Sequence, residues 1–173
     1  MKRNVILLLL ILCTVVAACS KSDIESENSY ERSLQAWLSF KKESGNSYQY
    51  TVLQSSWTGY RSETTITVTD GKVVRRHFKM VSTEGLENVP EGELEWTEEG
   101  SFSEFGTSAA APIRTLDEIY EIAKTNWLLK RKDSSTTFEA ENNGMISLCG
   151  FTPRNCVDDC FNGIYITSII ALD

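Results

Sequence analysis

The sequence predicts one α+β domain, with two helices packed on one face of an antiparallel sheet of five to six strands. Three observations lead there. Two segments, around Trp37 and around Trp127, place apolar residues at helical spacing. Between and after them run short β-rich stretches joined by tight turn signals, Asp70-Gly71 and Asn143-Gly144. Hairpin joints of that kind make neighbouring strands antiparallel and leave a face for the helices to cover.

The first helix is expected from Ser29 to Ser44, with Tyr30, Leu34, Trp37, Leu38 and the aliphatic stem of Lys41 as its buried stripe. Asn28 followed by Glu31 has the spacing of a capping box, and Gly45 suits the left-handed position after a helix end. A strand follows at Tyr48–Leu53, where alternation puts Tyr48, Tyr50 and Val52 on one side. The stretch Glu63–Thr69 is rich in Thr, Ile and Val, and Lys72–Met80 returns from the Asp70-Gly71 turn, whose type I′ form needs positive φ at both residues.

Leu94-Glu95-Trp96 is expected as a short strand. It lies in a segment from Glu84 to Glu99 with seven acids and no base, which reads as a solvated loop or sheet edge. Gly106 to Pro112 reads as a flexible connection. Thr115 and Glu118 form a second capping box for a helix over Leu116–Lys130, with Leu116, Ile119, Ile122, Ala123, Trp127 and Lys130 facing inward. Its acids come early and its bases late, as the helix dipole favours. Strands are then expected at Thr136–Ala140, Met145–Cys149 and Gly163–Leu172.

The amino terminus carries a different signal. Lys2 and Arg3 precede an apolar run from Val5 to Ala18, too short for a membrane span of roughly 20 residues. The run ends in Val16-Ala17-Ala18-Cys19: a branched apolar residue, two small ones and a cysteine. This resembles the lipobox of bacterial lipoproteins, which implies cleavage before Cys19 and acylation of that thiol. One acyl chain holds a protein marginally, whereas two or three anchor it. The organisation expected is a signal peptide over 1–18, a lipidated tether over 19–28 and a domain over 29–173, attached to the cell membrane through Cys19. In enterobacterial lipoproteins an Asp after the cysteine retains the protein at the inner membrane, so Ser20 favours the outer one.

Losing residues 1–18 removes two bases and no acid, which takes the formal charge from −7 to −9 and leaves 155 residues. That length supports one core. The acidity argues against nucleic acid as a partner, because phosphate binding rests on Lys and Arg.

Three cysteines remain in such a mature chain: Cys149, Cys156 and Cys160. Export favours a disulfide, and the odd count leaves one thiol over. Cys149 to Cys160 would staple the loop between the last two strands, and Cys149 to Cys156 is the alternative. No His stands near these thiols to complete a zinc site, so no metal or other cofactor is expected. In the run Asp158-Asp159-Cys160-Phe161-Asn162-Gly163, Asp158, Asn162 and Gly163 have the spacing of a calcium loop's opening, but the third position is Cys160 and the twelfth is Ile169 where a Glu is needed. His77 is the single histidine. Arg75, Arg76, His77 and Lys79 make a basic patch that could meet an anionic partner or pair with the acidic segment. Arg75, Arg76, His77, Asp158 and Asp159 are therefore the candidate binding residues, and no catalytic set is assigned.

Trp37, Tyr48-Gln49-Tyr50, the hairpin Val68-Thr69-Asp70-Gly71-Lys72-Val73 and the helix start Thr115-Leu116-Asp117-Glu118-Ile119-Tyr120 recur in this order over most of residues 30 to 172. The arrangement resembles a family of small bacterial lipoproteins and secreted proteins defined as a domain of unknown function. Many such members carry cysteines soon after Tyr-x-Tyr, where this chain has Ser55-Ser56-Trp57. The resemblance implies the fold and no activity. The expected function is a non-enzymatic binding or structural domain at the envelope, its partners being the bilayer through Cys19 and an envelope protein or ligand. The alternatives are an inhibitor of an exported hydrolase, inserting the loop Phe151 to Phe161, and an enzyme built on His77.

Overall fold

The computed structural model of the chain describes residues 23–84, 86, 88–102, 110–158 and 160–172. The chain is tied down before its first helix begins. Lys130 N–H donates to the Asp23 carbonyl at 2.9 Å, Glu25 N–H donates to Leu128 O at 2.7 Å, and Ile24 bridges Leu129. Residues 23–28, expected in the tether, thus contact the fold. Helix α1 spans Glu27–Glu43. Its N-cap is Ser26, in a left-handed conformation, so the expected Asn28–Glu31 capping box gives way to an entry set by those backbone bonds. At the other end Gly45 does adopt positive φ, and Asn46 N–H reaches back to Lys41 O at 2.8 Å, the longer bond of a Schellman stop. Tyr30 and Trp37 are buried as expected, while Leu38 turns outward at 45% exposure and Ser33 is buried in the stripe instead.

Strands β1 (Tyr48–Ser55), β2 (Tyr60–Thr69) and β3 (Lys72–Thr83) form a meander. The Asp70-Gly71 turn has φ of 50° and 74°, the positive pair that a type I′ hairpin requires. One helical turn, α2 (Glu91–Leu94), leads into β4 (Glu95–Glu99) on the edge of β3, so Leu94 is helical rather than extended. Thr115 caps helix α3 (Leu116–Ile122) with both bonds of the box in place. The α-helix then widens into a π-helical turn, Ala123–Trp127, marked by Leu128 N–H bonding Ala123 O at 2.9 Å. The extra residue rotates the last turn. Trp127 and Leu128 face the core, and Lys130, expected inside, is exposed. Strands β5 (Ser134–Glu139), β6 (Leu148–Pro153) and β7 (Asn162–Ala171) complete the fold. Strand β6 starts at Leu148, not Met145, because Met145 and Ile146 leave the sheet to fill the core.

All seven strands join one antiparallel sheet in the order β4-β3-β2-β1-β7-β6-β5. The chain is α+β as expected, and its described residues form seven strands in place of five to six and three helices in place of two. Two meanders meet where β7 pairs with β1, and the connection carrying α3 crosses from one sheet edge to the other. Helices α1 and α3 pack on each other as well as on the sheet. Trp37 contacts Tyr48 edge-on at 5.1 Å and stacks with Tyr120 at 6.3 Å, and α2 sits apart beside β3 and β4. Among the described residues no helix is long and apolar enough to cross a membrane.

The buried hydroxyls of Tyr30 and Tyr120 are partnered. Tyr120 OH donates to Ser33 O at 3.0 Å and accepts from Ile146 N–H at 3.2 Å, and Tyr30 OH donates to Tyr120 O at 3.1 Å. Replacing Tyr120 by Phe strands the buried amide and should cost about 1–3 kcal/mol in urea unfolding. Burial raises the ionisation of Tyr30 and Tyr120 to about 12 and that of Cys149 to about 12, from ordinary values of 10.0 and 9.0. It also raises Tyr48 and Tyr50. Raised acids favour the fold fully below the unfolded values and lose that contribution as pH climbs to the folded ones. Stability measured by chemical unfolding should therefore hold up to about pH 9 and fall steadily towards pH 12.

Candidate functional site

The residues singled out by sequence separate into three places. Strand β3 alternates, so Arg75, His77 and Lys79 point one way while Arg76 and Phe78 point into the protein. Arg76 is 4% exposed. Its Nε and Nη2 reach Glu98 Oε2 at 2.8 and 2.5 Å, and its guanidinium lies 5.2 Å from the Trp96 ring. On the outer side Arg75 meets Glu99, and His77 Nε2 lies 3.0 Å from Glu95 Oε1. Lys79 and then His77 hold the Glu95 carboxyl below the ordinary carboxylate range. The basic patch is thus met by the acids of β4, one of the two roles expected for it.

Asp158 lies in the loop before β7, which is separated from β3 by β1 and β2, roughly 14 Å at ordinary strand spacing. Asp158 and the basic candidates do not converge. Asp159 and Cys19 fall outside the described residues. Among the described residues no cluster of three or more His, Cys, Asp or Glu could hold a metal ion.

Cys156 and Cys160 are joined by a disulfide, with Cα atoms 6.1 Å apart. This replaces both expected pairings through Cys149. The reason is alternation along β6: Cys149 lies opposite Phe138 and Ile164 with its side chain in the core, out of reach of the loop.

A concave feature lies elsewhere. A cavity of about 450 Å³ opens between the sheet and the crossing segment 111–114. Val52 from β1, Leu148 from β6 and Ile164 from β7 line it, with Ile119 and Trp127 opposite from α3 and its π-helical turn. Phe161 and Tyr165, each about two-fifths exposed, carry the lining out to solvent. Among the described residues Arg114 is the one charged side chain in the lining, and no carboxylate of theirs lies within ion-pair distance of it. Tyr50 OH donates to the Arg114 carbonyl at 2.6 Å and so fixes the backbone from which that guanidinium extends. Gln54 shares the inward parity of Tyr50 and Val52, and its side-chain carbonyl is buried with no hydrogen-bond partner. Phe161 rests on two glycines paired across β6 and β7. A Cβ on Gly150 or Gly163 would come within 2.5 or 2.6 Å of its Cζ.

Compared with known proteins, the chain matches no family model, no curated protein and no solved structure.

Gln54 and Arg114 escaped the sequence reading, yet each left a trace. Gln54 is the polar residue that ends an inward run of Tyr48, Tyr50 and Val52, and Arg114 stands just before a capping box. Trp127 was visible as core, but its place beside a cavity depends on the π-helical turn. The β3–β4 pairs, by contrast, behave as structure. Glu98→Ala should cost about 3 kcal/mol in urea unfolding by leaving Arg76 buried without its bidentate partner. His77→Ala and Glu99→Ala should stay within about 0.5 kcal/mol.

Proposed function

We propose that this chain is a lipid-anchored protein of the bacterial outer membrane whose folded domain binds a small ligand without transforming it. The observation that carries the binding role is the cavity of about 450 Å³, lined by polar and apolar groups in equal measure and within the usual size range of ligand sites. The anchor is supported by Val16-Ala17-Ala18-Cys19 after a short apolar run, and by Ser20 where an inner-membrane signal would place Asp. The motifs around Trp37, Tyr48-Gln49-Tyr50 and Asp70-Gly71 support kinship with small envelope lipoproteins of the same layout. The exposure of Val157, 90% at the tip of the loop closed by Cys156 and Cys160, favours a second reading, an inhibitor that inserts this loop. Absence of inhibition across envelope proteases and lysozymes would remove that reading.

Two measurements address the main proposal. Intact mass of the chain from bacterial membranes should show loss of residues 1–18 and added diacylglycerol and acyl mass, and Cys19→Ala should abolish the lipid and move the protein to the soluble fraction. Unchanged membrane partitioning of Cys19→Ala would overturn the anchor. Nuclear magnetic resonance shifts from small apolar and amphipathic compounds should map to residues 50–54, 148 and 164. Shifts confined to other surfaces would remove the binding role.

A further inference from the structure

We propose that the cavity takes an anionic amphiphile: a carboxylate head beside an N–H donor, on an apolar tail of about eight carbons. This rests on the reading of the cavity as a binding site and names what fills it. The walls set the tail. Val52, Ile119, Trp127, Leu148 and Ile164 present carbon to one part of the space, and an alkyl chain laid against them leaves water there. The head follows from charge. In a chain of formal charge −7, the one charged side chain among the described residues that line the cavity is a cation, Arg114, and no carboxylate among those residues opposes an anion. A guanidinium offers a planar fork that fits a carboxylate with two parallel bonds.

Gln54 supplies the third requirement. Its buried carbonyl has no donor from the protein, and a buried acceptor left unmade costs about 1–3 kcal/mol. Turned into the cavity that Gln54 lines, it would accept an N–H next to the carboxylate, as in an N-acyl amino acid. Tyr50 acts as a positioning residue, since its hydroxyl is already used to hold the Arg114 carbonyl. Cationic amphiphiles are disfavoured by the same arrangement, having Arg114 to repel them and no carboxylate to receive them.

The test is calorimetric titration of the full chain in lipid nanodiscs, with empty nanodiscs as blank. The ligands are N-octanoylglycine, nonanoate, octan-1-ol and octylamine. N-octanoylglycine should bind tightest and octylamine weakest. Arg114→Gln should weaken N-octanoylglycine about ten- to a hundredfold, leave octan-1-ol unchanged, and be partly rescued by Arg114→Lys. Gln54→Leu should remove the preference for N-octanoylglycine over nonanoate. Equal binding of all four ligands, or an Arg114→Gln variant that binds N-octanoylglycine as the parent does, would overturn the inference while leaving a binding cavity. If octan-1-ol and every other ligand fail to bind, the binding role itself fails with it.

Discussion

The fold depends on how the crossing segment 111–116 is held against the sheet. This stretch carries the chain from one sheet edge towards the other and buries its own backbone on the way. Its amides and carbonyls need partners that a strand or helix would otherwise supply. Side chains from three strands provide them. Thr64 of β2 accepts from Ala111 N–H at 3.0 Å, Arg76 of β3 donates to Ala111 O at 3.4 Å, Tyr50 of β1 donates to Arg114 O at 2.6 Å, and Tyr48 of β1 accepts from Leu116 N–H at 2.9 Å. Each of these side chains also belongs to the core or to a buried ion pair. The seam therefore couples sheet, crossover and helix start. It also explains why Thr64 and Arg76 tolerate burial that would be costly without such bonds.

That coupling places the cavity. Helix α3 begins at Leu116, where Tyr48 pins it, and the π-helical turn then carries Trp127 and Leu128 inward together. On the sheet side, β7 shifts register between Thr51 and Val52 of its neighbour, a bulge that brings Ile166 and then Ile169 to the core face. The crossover bridges the space between these surfaces without filling it. Arg114 reaches that space because its carbonyl is tethered while its side chain is left unengaged by the acids of the described residues.

Local signals in the sequence were read well, and distant ones were not. The Asp70-Gly71 and Asn143-Gly144 turns, the Thr115–Glu118 capping box and the Gly45 stop each work through residues within a few positions, and each is in place. The Asn28–Glu31 pair failed because a distant strand of backbone bonds, from Leu128 and Lys130, fixes where the helix starts. Of the connection expected from Gly106 to Pro112, residues 106–109 lie outside the described residues, and a small residue such as Ala111 carries no sign of its partners. Ala111 is buried by Thr64 and Arg76, which lie far off in sequence. A cavity has no sequence signature at all. It is space left between elements whose spacing the tertiary contacts decide, so Gln54 and Arg114 could be noticed only as polar residues slightly out of pattern.

The cysteines show the same division between local and distant causes. Three thiols and one bond leave a choice that spacing alone does not make. Position on the strand makes it. Cys149 lies at an inward place on β6, fully enclosed, and burial pushes its thiol up to about 12. The thiolate that exchange chemistry requires is therefore scarce there at neutral pH. Cys156 and Cys160 stand four residues apart in a loop, where their Cα separation of 6.1 Å needs no rearrangement of the sheet. Their bond closes the loop immediately before Phe161, whose ring then covers the facing glycines Gly150 and Gly163 at the solvent side of the cavity. A side chain at either glycine would push the ring away. The loop disulfide and the glycine pair thus act on one aromatic residue, and through it on how the cavity meets solvent.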